Sequence, residues 1–546
     1  MSESRATDQR EMHSTEHDAA TAARASSLDI AAEELRTLAD RAVALVADYF
    51  AHIAEQPVFP QTSAKEVAAK LAAPLPLAGP DALDELFNDC ARIFANSRQN
   101  GHPRFFGYVA SPATPIGAFA DLIASALNQN VPVWRSAPAA THIERTTVRW
   151  LAELIGYPQG AGGLLTSGGS MANLDALYIA QRTKARGPGA TSAGATANAI
   201  DASSTNSVAF DVSRHGLWHA GAPMTVYVSD QAHHSIAKAA DIIGMGREQV
   251  RVVATDERFR MDVRSLRERI EADLKNDLRP CCVVANAGTV NTGAVDPLAE
   301  IAAVAARHDL WFHVDGAYGA PAALTATKRA LFDGIARADS VALDPHKWLY
   351  TPVDCGCLLL REPARARAAW TTDAGADYIK IFEQTDDESF AFFDYGIELS
   401  RRFRALKLWL MLRYYGVPRI SAAIDDDCAL AAYMAERIEA AEDFELLAPV
   451  ELSICCFRYV PPDVRRTLLA ADDATRAQIE TELNELNERI THAVQRGGRA
   501  YISNAVLHGR FALRACIVNF RTTQHDIDLT LDIIRDAARN AMTSDE

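Results

Sequence analysis

Apolar positions recur at helical spacing near the start of the chain and as strand-length runs through its middle. Over residues 28–53 Leu35, Leu38, Ala42, Leu45 and Tyr49 share one face, which predicts an amphipathic helix. A proline-rich stretch, residues 57–80, follows. The segment reads as an N-terminal arm whose apolar stripe needs cover from the main body or from a second chain. From about residue 115 short apolar runs (225–229, 282–286, 310–315, 356–360) alternate with helical stretches (171–182, 263–275, 297–308). This alternation predicts a mostly parallel α/β sheet with helices on both faces. Residues 187–206, rich in Ala, Ser, Thr and Gly, interrupt it as a surface insertion. After Gly416, helices at 421–441 and 474–495 and strands at 452–459 and 512–519 form a smaller α+β unit. The predicted organisation is a disordered tail over 1–26, a helical arm over 27–114, a large α/β domain over 115–405 and a small domain over 406–546.

Composition adds limits. A chain of 546 residues with 49% hydrophobic and 23% charged residues supports a large core and two or three structural units. The 55 basic against 71 acidic side chains repel phosphate backbones and anionic lipid, so neither nucleic acid nor membrane is an expected partner. Any anionic cofactor must then be held by local groups. No apolar run reaches membrane-span length, and residues 1–25 lack the apolar centre of a signal peptide. The nine cysteines are odd in number, and Cys281-Cys282 and Cys455-Cys456 are adjacent, which suits buried strand positions in a reducing cytoplasm.

Four segments carry candidate chemistry. Lys347, in the run 340–350, follows a short apolar strand and the Asp344-Pro345 turn. Alone it reads as a surface amine; at the carboxyl edge of a parallel sheet it can lose its proton more readily and form a Schiff base with an aldehyde. Asp315 closes the apolar strand 310–315, where an unpaired carboxylate calls for a cation such as a protonated pyridine nitrogen. It also reads as a turn cap, or with His308 and His313 as a metal ligand, although the spacing and the missing Cys disfavour a metal site. Residues 164–173 run from a strand through Gly168-Gly169 into a helix, where backbone N–H groups and the Ser170 hydroxyl could hold a phosphate monoester. The segment matches neither a nucleoside-triphosphate loop nor a dinucleotide fingerprint. Finally, His233 follows the strand 225–229 and could stack on a ring or simply open a helix. Together the four supply an amine, a carboxylate, a phosphate nest and a stacking ring.

The sequence resembles the group II pyridoxal-phosphate (PLP) decarboxylases, the family of aromatic-L-amino-acid and glutamate decarboxylases. The resemblance lies in residues 344–348, 313–318, 230–233, 400–409, 102–108 and 134–139, and runs in family order over roughly residues 30–540. It implies a fold-type-I (aspartate-aminotransferase-like) α/β enzyme and a homodimer with shared active sites. By position it implies Lys347 as the Schiff-base lysine, Asp315 on the pyridinium nitrogen, and His233 and Ala317 on the two ring faces. Gly169 with Ser170 would hold the phosphate, His346 would be a further cofactor-binding residue, and Tyr378 would be a mobile-loop tyrosine that returns a proton to carbon. The implied substrate pocket is Tyr108, Val109, Ala110, Ser111 and Trp134, with Asn130 and Pro132 from the second chain. Ser400 stands where plant relatives have Ser for phenolic and Gly for indolic substrates. Asp344 replaces the Asn of animal members, and a carboxylate there would repel the phosphate unless protonated or turned away.

The expected activity is therefore decarboxylation of a tyrosine- or DOPA-like amino acid to its amine and carbon dioxide. The alternatives are a decarboxylating aldehyde synthase and a glutamate or diamino-acid decarboxylase of the same family. Retention of both Tyr378 and His233 favours the first.

Overall fold

A computed structural model of the chain describes residues 28–77, 82–185, 212–217, 221–371, 385 and 387–543. Tyr378, the 187–206 segment and the 1–26 tail lie outside the described residues. The chain divides between Arg98 and Gln99. Among the described residues the first unit holds the helices Ala32–His52, Ala64–Leu71 and Leu83–Ala95. Arg41 joins the first to the third through Asp84, at 2.6 Å, and through the face of Phe87. Ser63 and Glu66 cap the middle helix reciprocally. None of these helices has a fully buried residue; Leu35, Leu86 and Ile93 are exposed, while Leu38, Ala42, Leu45 and Tyr49 of the predicted stripe are partly buried.

The second unit is organised by two sheets. A short strand β1 (Phe105–Phe106) belongs to the smaller one. The larger has seven strands: β2 (Gly162–Thr166), β3 (Met224–Ser229), β4 (Val250–Val253), β5 (Arg279–Asn286), β6 (Trp311–Asp315), β7 (Ser340–Leu343) and β8 (Gly356–Leu360). Their spatial order is β2-β8-β7-β6-β5-β3-β4. β3 through β7 pair in parallel, and β8 is antiparallel to both neighbours, so β2 runs the same way as the parallel group. β5 to β8 are almost wholly buried because helices cover both faces, which is why they read as unbroken apolar runs.

The consequence for function is positional. Thr166, Ser229, Asn286, Asp315 and Leu343 all end strands at one carboxyl edge, where the segments that follow them meet. The helix Gly169–Lys184 leaves β2 at this edge and packs across the sheet.

The smaller sheet adds β9 (Phe444–Leu446), β10 (Ile454–Tyr459), β11 (Tyr501–Leu507) and β12 (Arg510–Cys516) in the order β1-β11-β12-β10-β9. Helices Asp473–Arg496 and Gln524–Thr543 cover it. The long helix Ala405–Glu439 packs against β9 and β10 and breaks at Gly416, whose φ of 70° and ψ of 157° are non-helical, two residues before Pro418. Among the described residues no helix is long and apolar enough to cross a membrane. All nine cysteines are unpaired, and all but Cys90 are buried.

Candidate active site

At the carboxyl edge a cavity of about 340 Å³ is lined by the ends of β2, β3, β5, β6 and β7. Ser167, Gly168, Gly169, Ser170, His233, Asn286, Asp315, Ala317, Asp344, His346 and Lys347 all face it. Four segments that the sequence offered separately thus share one wall.

Lys347 sits in the single helical turn Pro345–Trp348, with 25% of its side chain accessible. Its Nζ lies 2.9 Å from Asp344 Oδ2. Burial pulls the ammonium down, but the carboxylates of Asp344 and then Asp315 outweigh it and hold the amine above its ordinary value. The expectation of an easily deprotonated amine is therefore corrected: the adjacent Asp344 keeps Lys347 charged. The turn is anchored from behind. Trp348 Nε1 and Tyr350 Oη donate to Asp427 Oδ2 at 2.9 and 2.7 Å, and burial pushes Asp427 up to about 7.

Asp315 ends β6 and is buried. Its Oδ2 accepts from Asn173 Nδ2 at 2.8 Å and its Oδ1 from the Ala317 N–H at 3.2 Å. Among the described residues no arginine, lysine or histidine forms an ion pair with it, so it presents a buried charge to the cavity with only neutral donors behind. A carboxylate placed this way would accept a pyridinium N–H. His313 is no metal ligand in this arrangement: its Nε2 faces Asn173 Oδ1 at 2.9 Å and its Nδ1 faces Ser340 Oγ at 2.8 Å.

The Gly168-Gly169 turn opens the helix Gly169–Lys184, so the helix start, with Gly169 and Ser170, lines the cavity. A side chain at Gly169 would meet Ala317 Cβ and Asp344 Oδ2, each at 2.9 Å, so glycine is required for this close approach. His346 lies beside Gly168, within 2.8 Å of the Cys355 carbonyl through Nδ1, and burial lowers its imidazolium despite Asp344. Asp344 is turned to Lys347, and its Oδ1 is buried without a hydrogen-bond partner. His233 is half-buried, with Nδ1 2.8 Å from Ser235 Oγ, and burial likewise lowers it.

The substrate-side residues fare differently. Val109 lines the cavity, while Tyr108, Ser111, Trp134 and Ser400 do not. Ser111 Oγ donates to the His346 carbonyl at 3.2 Å, just behind the wall. Tyr108 is half-exposed, with its hydroxyl 3.2 Å from that of Tyr501. Trp134 lines a separate cavity with His142 and Arg145, and Ser400 is exposed on a loop. Tyr378 lies outside the described residues. Sequence reasoning missed Asn173 and Asn286. Asn286 ends β5, and its Nδ2 donates to Ser229 Oγ and Asp296 Oδ2 at 3.0 and 3.1 Å. The available signal was an amide at the end of an apolar strand and one in the second turn of an otherwise apolar helix face.

A lysine, a buried unpaired carboxylate, a glycine cradle at a helix start and a stacking imidazole are the needs of one cofactor, and they fit PLP. On this sheet they define a PLP enzyme of fold type I. The chain belongs to the pyridoxal-dependent decarboxylase family, whose conserved domain matches residues 69–207 and 217–460. It is 36% identical over 501 residues to the aromatic-L-amino-acid decarboxylase of Bacillus atrophaeus, covering 92% of this chain and 95% of that one. It is 29% identical to the phenylacetaldehyde synthase of Petunia hybrida, covering 93% and 94%. The crystal structure of Oryza sativa TDC with PLP and tryptamine superposes with a TM-score of 0.81 at 27% identity, over 95% of this chain and 100% of that chain. The protein is accordingly a PLP-dependent decarboxylase, a carboxy-lyase.

Proposed function

We propose that the enzyme decarboxylates an aromatic L-amino acid of the tyrosine or DOPA type, releasing the amine and carbon dioxide. One observation carries the reading: Lys347, Asp315 and His233 line a single cavity in which Lys347 is the only lysine or arginine among the described lining residues. An acidic substrate would bring a second carboxylate with no lysine or arginine left to receive it, whereas Val109, Val290, Tyr318 and Val353 offer apolar wall to an uncharged ring. The names of the relatives, an aromatic decarboxylase and an aryl-acetaldehyde synthase, support the same substrate class.

When bound, PLP supplies the electron sink for the pair left by departing carbon dioxide. Lys347 would hold the cofactor through its amine, and Asp315 would pair with the ring nitrogen. His233 and Ala317 would lie on the two ring faces, while Gly169 with Ser170 would receive the phosphate beside His346. Tyr378 would return the proton to carbon. We further propose a homodimer. Leu122, Ile123, Leu127, Ile397 and Leu399 are exposed, and Val353 lines the cavity yet is 73% exposed. Ser400 follows the exposed Leu399, so its influence on phenolic against indolic substrates would act from the dimer interface. The nine unpaired cysteines support a cytoplasmic setting.

The test is a substrate panel of tyrosine, DOPA, tryptophan, phenylalanine, glutamate and 2,4-diaminobutyrate, with carbon dioxide, amine and peroxide read together. Release of carbon dioxide and amine from tyrosine or DOPA is expected. Turnover of glutamate or diaminobutyrate alone would overturn the aromatic reading, and peroxide matching carbon dioxide would make the protein an aldehyde synthase. Tyr378→Phe is expected to divert product toward aldehyde and peroxide; unchanged amine yield would remove Tyr378 from its role.

A further inference from the structure

In the cavity wall, one side-chain amide bonds Asp315 directly and reaches His233 through Ser235. Asn173, 1% exposed, donates through Nδ2 to Asp315 Oδ2 at 2.8 Å and to Ser235 Oγ at 2.9 Å. Its Oδ1 lies 2.9 Å from His313 Nε2. The amide has only one workable orientation. Turned over, it would set a carbonyl oxygen against the Asp315 carboxylate. With the NH₂ toward Asp315, Oδ1 needs a donor, so His313 carries its hydrogen on Nε2. His313 cannot supply donors from both nitrogens, because burial drives its imidazolium down to about 4.

The Ser340 hydroxyl fits this polarity and lies closer to His313 Nδ1 than the Ser340 carbonyl, which is 3.2 Å away and gains no hydrogen from it. His313 Nδ1 is then an acceptor for the Ser340 hydroxyl at 2.8 Å. Ser340 Oγ in turn receives the Trp311 indole N–H at 2.8 Å, from a group that can only donate. Trp311, Ser340 and His313 are all buried to 1% exposure or less. On the other branch Ser235 Oγ receives the second Asn173 hydrogen, so its own hydrogen points to His233 Nδ1 at 2.8 Å. The Ser235 backbone N–H faces the same nitrogen at 3.3 Å. Neutral His233 therefore carries its hydrogen on Nε2.

We propose that Asn173 is a positioning residue that, through one amide, orients the acceptor face of Asp315 toward the cofactor and fixes the ring tautomer of His233. The proposal rests on the PLP reading of this cavity. Asp315 gains a neutral donor that satisfies one oxygen without neutralising the charge, and His233 gains a defined hydrogen for whatever lies over it. The charged and titratable groups around His233 are Asp315, His234, Lys347 and Asp344, so any change in its titration is read against those four.

The experiment uses the full chain reconstituted with PLP. In Asn173→Ala and in the isosteric Asn173→Asp, the dissociation constant for PLP is expected to rise about ten- to a hundredfold, the loss of one hydrogen bond to a charged group. The pH midpoint of the bound cofactor's visible band should move with it. Ser235→Ala separates the branches: the band midpoint should stay in place, while the ¹⁵N shifts of the His233 ring should show a mixed tautomer and the pH profile of kcat should move. A wild-type protein with no visible band would overturn the PLP reading itself. A wild-type band with unmoved midpoint and affinity in folded Asn173 variants would overturn the proposal, leaving Asn173 a stability residue only. If the Asn173 variants do not fold, Ser235→Ala decides: an unchanged His233 tautomer overturns the claim.

Discussion

At Lys347 the environment sets the form of the amine before any cofactor arrives. Asp344 lies 2.9 Å away, and Asp315 adds to its field, so the nitrogen rests charged and must shed a proton to attack an aldehyde. Asp344→Asn removes the larger of these two carboxylate influences. The Lys347 amine should then lose its proton at lower pH, and the rate of PLP capture by cofactor-free protein should rise earlier on a pH scan, measured by stopped-flow absorbance. Identical scans for the two proteins would show that Asp344 does not control the lysine. Lys347, Asp315 and His233 were legible because each directly ends or follows an apolar strand, and Gly169 because it sits between a strand and a helix. Asn173 was not, since its partners Ser235 and Asp315 lie 62 and 142 residues further along the chain. No local pattern records such a pairing.

At the scale of elements, the edge strand β2 must be held for the Gly168-Gly169 turn to stay in register. A buried pair does this. Arg401 and Glu144, exposed by 1% and 0%, join each other, and Glu144 Oε1 accepts the Leu165 N–H at 2.9 Å. Arg401 also donates to the carbonyls of Leu165 and Val131 at 2.7 and 2.9 Å and covers the Phe392 ring. Arg401→Met strands a buried carboxylate and should cost about 3–5 kcal/mol in denaturant unfolding, with much of that recovered when Glu144→Met is added. A single-mutant loss that the double mutant deepens would contradict this account. The sequence reading found the apolar runs of β3, β5, β6 and β8 from composition alone, because their burial on both faces writes itself as continuous hydrophobicity. It could not see that β8 runs against its neighbours, since an apolar run carries no mark of direction.

For the whole molecule, the segments around the cavity mouth are knit together. The Thr114 N–H donates to the Tyr350 carbonyl at 3.0 Å, Asp121 pairs with Lys407 at 3.1 Å, and Asp354 pairs with Arg402 at 3.0 Å. Leu122, Ile123, Leu127, Ile397 and Leu399 stand exposed on this framework. Exposed apolar side chains of this kind mark a candidate interface. Ile123→Lys combined with Ile397→Glu should therefore convert a species of twice the 59.3 kDa chain mass to one near that mass in sedimentation equilibrium. A wild-type monomer would overturn the proposed dimer, and a variant that stays dimeric would place the interface elsewhere.

The central claim is that the cavity beneath Gly169 holds PLP on Lys347. Borohydride reduction of the PLP-loaded protein, followed by peptide mapping, tests it in one measurement. The account predicts one pyridoxyl group per chain, on Lys347. A pyridoxyl group on another lysine, or none on any, would contradict it.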